Sequence, residues 1–186
     1  STADTETPHS GGPTDTAAAA PPENPLAPAV RARSIELRLE MWKGAWHLIQ
    51  ARPMLGWGER GYVTETESLG AAGMIDPVAA EYTHAHNEWL NVLAKKGIAG
   101  AVILLGLYLS PALVFGAAYR RHERDRRAGL AGRIALPTAG LIFTLGFMAT
   151  GMTQVNFNHN IGVMIYAFTT AVLVGAVSND AASRPS

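Results

Sequence analysis

The sequence contains no cysteine. This excludes disulfides, thiolate metal centres and a cysteine nucleophile, and it leaves the compartment open because a cysteine-free chain suits either side of a membrane. Net charge is also absent, with 15 Lys and Arg against 15 Asp and Glu. That balance conceals two dissimilar halves: 8 basic and 12 acidic residues up to Lys96, then 7 basic and 3 acidic beyond it. Large apolar residues are scarce from Ser1 to Pro28, which is rich in Ala, Pro and Thr. Such a stretch cannot bury a core, so residues 1–28 are expected to be a disordered linker. No signal peptide or apolar run precedes residue 97, and the chain starts with Ser. The expectation is therefore a piece of a longer polytopic protein whose upstream helices carry this region across the membrane.

What the second half does contain is three uncharged apolar segments, at 97–119, 134–152 and 161–177. The first has 23 residues, long enough at about 1.5 Å per residue to cross a hydrocarbon core of about 30 Å. All three read as transmembrane helices, and Pro111 in the first is tolerable there. Between the first two lies 120–133, with six Arg against Glu123 and Asp125. A short Arg-rich loop stays cytoplasmic. Residues 1–96 and the turn 153–160 are then expected in the opposite compartment, the periplasm or cell exterior, and the tail 178–186 in the cytoplasm. A loop this short between two spans does not suit nucleic-acid binding, and no nucleic-acid partner is expected.

The region 29–96 reads as a periplasmic loop with two short helices. From Ser34, a plausible N-cap, Ile35, Leu39, Trp42, Trp46 and Ile49 recur at steps of four and three, one face of an amphipathic helix suited to a membrane interface. Pro53 ends it, and three glycines between Gly56 and Gly61 make an irregular turn. Val63 to Tyr82 shows no convincing period and reads as a loop. The second helix is HNEWLNVLAKKG, with Trp89, Leu90, Leu93 and Ala94 on its apolar side, Lys95 and Lys96 at the bilayer surface, and Gly97 permitting a bend into the first span. His84 and His86 open this helix near the lipid headgroups.

Each polar candidate has a plain reading. Arg38 is a solvated charge, Asn87 a helix cap and Glu88 a carboxylate favouring the positive helix end. His84 and His86 with Glu88 form a possible H-x-H metal set, but i and i+2 diverge in a helix, so joint ligation needs an extended backbone. No metal is expected. Gln154, Asn158 and His159 are either polar turn residues or the lining of a cleft.

Together the motifs resemble a family. His86-Asn87, nine residues and then Gly97-Ile98-Ala99-Gly100 match the H-N-x9-G-x-x-G pattern of bacterial O-antigen ligases, within the O-antigen ligase and polymerase superfamily. Arg38 and Trp42 in R-x-x-x-W, Pro53, Leu55, Gly56 and Gly58 in P-x-L-G-x-G, the later LYLSPALVF and TQVNFNHN also look like the C-terminal half of such ligases. The resemblance covers roughly 33–177. It implies an all-α integral membrane protein, a fragment of a polytopic GT-C-like glycosyltransferase of the bacterial inner membrane. It also implies metal-independent, cofactor-free, inverting transfer of a glycan from undecaprenyl diphosphate to a sugar hydroxyl of lipid A-core in lipopolysaccharide biosynthesis. His86 matches the family's catalytic histidine and Arg38 its periplasmic-loop arginine. His84, Asn87, Gln154, Asn158 and His159 are the expected substrate-binding residues. The family uses a further arginine on an upstream helix, which has no counterpart here, so the fragment alone is expected to be inactive. The alternatives are an O-antigen polymerase or protein O-oligosaccharyltransferase of the same superfamily, and a non-catalytic transport or scaffold component. A transporter is expected to carry ionisable residues within its spans, and these segments have none.

Overall fold

The computed structural model describes residues 27–130 and 133–182. It contains six α-helices and one short 3-10 turn, with no strand among the described residues. The helices are α1 (Ala27–Ala51), α2 (Gly58–Ala71), α3 (Pro77–Ala80), α4 (Glu88–Arg127), α5 (Ala135–Thr150) and α6 (Asn160–Ala182). Helices α1 to α3 pack with the first turns of α4, and α4, α5 and α6 pack on one another. The expectation of disorder lies outside the described residues, except that Ala27 and Pro28 already belong to α1.

Two helices, α4 and α6, are long and apolar enough to cross a membrane. Their outward faces carry exposed Ile103, Leu113, Ile161, Met164 and Phe168, an apolar surface suited to lipid rather than water. The middle apolar segment forms α5, whose 16 residues span only about 24 Å at 1.5 Å per residue. The Arg-rich segment is not all loop: α4 continues to Arg127, and Arg126 and Arg127 pair with Glu123. Cations in a last helical turn complement its dipole.

The polar region departs from the sequence reading in three places. Helix α1 starts seven residues before Ser34, so Ser34 is no cap. Its buried face is Met41, Ala45, Leu48 and Ile49, while Ile35, Leu39 and Trp46 are exposed. The segment read as a loop contains most of α2, and Tyr62, Thr66 and Gly70 are its buried residues. The start of α4 is buried on its polar side as well: Glu88, Asn91 and Lys95 are 2–4% exposed. Lys95 is thus not a headgroup-facing cation; its Nζ donates to Glu59 on α2 and lies 5.1 Å from the Tyr62 ring centroid.

The kink at Gly97, with φ 63° and ψ −163°, divides α4. A break in a helix strands carbonyls on one side and N–H groups on the other. The glycine turn after α1 satisfies both: Trp57 N–H donates to Ala94 O at 3.0 Å, while Ile98 and Ala99 N–H donate to Pro53 O and Met54 O at 2.8 and 3.3 Å. The two sequence motifs are therefore one interlocked structure. It fixes the polar helices on the top of the first apolar span.

Candidate functional site

The loop between α3 and α4 is held from below. Ala85 is fully buried among Ala45, Leu48, Tyr62 and Ala94. Its carbonyl accepts a hydrogen bond of 2.9 Å from Trp42 Nε1. Asn87 then caps α4: Oδ1 accepts from Leu90 N–H at 3.1 Å, and Nδ2 donates to Met152 O at 2.9 Å. Between these anchors His86 has φ 48°, and among the described residues no other non-glycine has positive φ. Left-handed backbone at a non-glycine residue is sustained only by its surroundings and concentrates at functional sites.

His86 and Arg38 line the same cavity of about 680 Å³. Ala29, Val30, Leu37 and Met41 give it apolar walls, and Arg33, Ser34 and Tyr82 complete its polar side. Arg33 is engaged by Asp76 at 2.9 Å. The imidazole Nδ1 of His86 is buried with no hydrogen-bond partner. Burial, and then the Arg38 charge, hold the His86 pKa below its ordinary 6.5. At neutral pH the ring is therefore uncharged, and it shares its cavity with a guanidinium.

The His84 ring lies 4.3 Å from that of His86, and Tyr82 approaches His86 edge-on at 5.8 Å. The backbone here is not helical, so the two rings meet although they are two residues apart. Burial lowers the His84 pKa, followed by His86, Lys95 and His159. Among the described residues no cluster of three metal-ligating side chains forms, and the Glu88 carboxylate is turned away to accept from Phe157 N–H at 3.0 Å.

Arg38, His84 and His86 are thus brought together, with His159 within electrostatic range of His84. Asn87 acts on the backbone as a cap. Asn158 lines two other cavities, one with Thr83 and Lys95 and one with Glu88 and Asn91. Gln154 is exposed in the turn after α5, where its N–H donates to Thr150 O; it lines none of these three cavities. Sequence reasoning missed Tyr82 and the pairing of buried Lys95 with exposed Glu59. The spacing of Glu88, Asn91 and Lys95 at steps of three and four was the available signal for a buried polar face.

Residues 14–105 match the family model described as O-antigen ligase. This part of the chain is an O-antigen ligase family domain. Arg38, His86, Asn87, Gly97 and Gly100 all fall within it. Over 136 residues, 73% of the chain, the sequence is also 22% identical to an uncharacterised protein of Haemophilus influenzae. The chain covers 32% of that relative, about a third of its length. Together with this family domain, α4 and α6, long and apolar enough to cross a membrane, support a membrane protein.

Proposed function

We propose that this O-antigen ligase family chain contributes the glycosyl-transfer site of an O-antigen ligase. The reaction moves a glycan from undecaprenyl diphosphate to a sugar hydroxyl of lipid A-core. The observation that carries this reading is His86, a half-buried imidazole whose pKa is held below its ordinary value, in one apolar-walled cavity with Arg38. His86 takes the proton of the acceptor hydroxyl as its oxygen attacks the anomeric carbon. The bond from that carbon to the diphosphate oxygen breaks, its electron pair stays on the diphosphate, and Arg38 stabilises the growing charge. Inversion follows from a single displacement, and His86 returns its proton to solvent. Donor binding also fits the apolar walls, which suit the start of an isoprenoid tail. His84 orients the His86 ring. No step requires a metal or cofactor.

The site lies on the periplasmic side of the bacterial inner membrane in this reading, with the Arg-rich end of α4 in the cytoplasm. A single Cys at the exposed Ser68 is expected to react with a membrane-impermeant maleimide added from the periplasm, and labelling only after cytoplasmic access reverses the orientation. The function is tested in a ligase-deficient strain carrying the full-length protein. Wild type restores ligated lipopolysaccharide, whereas His86→Ala and Arg38→Ala leave the lipid-linked donor to accumulate. Full activity in either variant overturns the site.

A further inference from the structure

Beyond the kink, α4 keeps one face inward to its far end. Leu104, Tyr108, Pro111, Phe115, Ala118 and His122 are its buried residues there. They recur at steps of four and three, one side of a helix of 3.6 residues per turn. His122 fixes that orientation at the arginine end: its Nδ1 accepts from Arg133 N–H at 3.2 Å, and its Nε2 lies 3.3 Å from Asp180 Oδ2 on α6. At about 100° per residue, the opposite side carries Leu109, Leu113, Arg120 and Arg124, all exposed. An outward line of leucines thus runs into an outward line of arginines.

The arginines of this helix are not equivalent. Arg126 and Arg127 donate to Glu123. With Arg124 they occupy the last turn, where the helix dipole favours cations. Arg120 and Arg121 stand before that turn, where the dipole has faded. Arg120, Arg121 and Arg124 have no ion pair among the described residues. Helical side chains lean toward the N-terminus of their helix, which at this end of α4 is toward the bilayer interior. The Arg120 guanidinium does lie back along the helix, 3.7 Å from where a Cβ on Gly116 would stand. Its charge is therefore at the edge of the apolar stripe and not extended into water.

We propose that Arg120, Arg121 and Arg124 hold the phosphate of an anionic phospholipid whose acyl chains lie along Leu109 and Leu113. Arg120 and Arg124 are one turn apart, about 6 Å along the axis, so their guanidinium forks converge on one phosphate. Arg121 adds its charge from the flank. Of the nearby carboxylates, Glu123 is already held by two arginines, and Asp125 falls toward the inner side of the helix. A zwitterionic lipid brings an ammonium group that this cationic face repels, so the site selects net negative charge. A soluble polyanion would engage the arginines and leave the leucines unused. The surface is at the opposite end of α4 from His86 and is independent of the transfer reaction.

The test is native mass spectrometry of the full-length protein in detergent, titrated with phosphatidylglycerol or with phosphatidylcholine of the same chain length. Wild type is expected to bind phosphatidylglycerol about fivefold more tightly or better, the effect of one or more arginines at a lipid surface. Arg120→Gln with Arg124→Gln should remove most of that preference; both side chains are exposed, so the packed interior is untouched. Arg126→Gln with Arg133→Gln takes the same formal charge from the same segment, but from arginines that already face Glu123 and Asp180. This second pair should keep the preference. No preference in wild type, or a preference that survives the first pair, overturns the site. Equal loss in both pairs overturns it in favour of diffuse charge. Competition by the chain-free headgroup glycerophosphoglycerol as strong as by the intact lipid overturns the lipid assignment in favour of a soluble phosphodiester.

Discussion

Gly56 and Gly97 meet across the break in α4 so closely that neither has room for a side chain. A Cβ on Gly56 would overlap the Lys95–Lys96 peptide, and one on Gly97 the Met54–Leu55 peptide. Both also have positive φ, 67° and 63°. Each glycine of the pair is thus required twice, for backbone conformation and for close approach.

Gly97→Ala is expected to destabilise the polar region by at least roughly 2 kcal/mol, combining backbone strain with overpacking. The readout is thermal unfolding of the purified protein in detergent, in which Gly58→Ala serves as comparison. Gly58 also has positive φ but open space around its Cβ, so its variant should lose less.

His86→Ala should lower transfer by about 10²–10⁴-fold, the range for removing a general base. Arg38→Lys should not restore the Arg38→Ala loss in full, because an ammonium cannot bind a diphosphate oxygen pair in bidentate fashion. Initial rates with lipid-linked donor in membrane vesicles check both. Wild-type rates in Arg38→Lys would remove the bidentate role.

The pH dependence follows from burial and Arg38, which disfavour the His86 imidazolium. Transfer should rise with pH through a value below 6.5 and be level near neutrality. Arg38→Gln removes the second cause, so the His86 pKa moves up toward its ordinary value. The linked stability has a definite sign: below pH 6.5 the unfolded chain takes up this proton first, so stability falls as pH drops through the folded pKa. NMR titration of the His86 ring in both proteins measures the shift, and an unchanged or lower pKa in Arg38→Gln contradicts it.

Asn87 divides its work between two hydrogen bonds, a cap through Oδ1 and a tie to Met152 O through Nδ2. Asn87→Ala should cost about 1–2 kcal/mol, the range for a lost N-cap with a further bond. Asn87→Asp keeps the cap and loses the tie, so it should fall between wild type and Ala in thermal stability. Equal loss in both variants would assign the whole effect to the Met152 contact.

Much of this architecture was legible in the sequence because it depends on local composition. Charge-free runs marked the apolar helices, and Asn87 and Pro53 occur where their backbone chemistry puts them, at a helix start and a helix end. The motif H-N-x9-G-x-x-G also identified the family of residues 14–105. Helix α2 was not legible, because glycines and β-branched residues give it weak propensity; it is buried through Tyr62, Thr66 and Gly70 instead. The outward turn of Ile35, Leu39 and Trp46 was hidden for the same reason, since periodicity finds an apolar face without saying what covers it. Tertiary structure alone put Arg38 and His86 in one cavity, buried Lys95 against the exposed Glu59, and the glycine turn into the break at Gly97. Each of these joins residues from separate helices. Burial, electrostatic neighbours and the satisfaction of stranded backbone groups are properties of that packing, whereas hydropathy and capping are written within a few residues of chain.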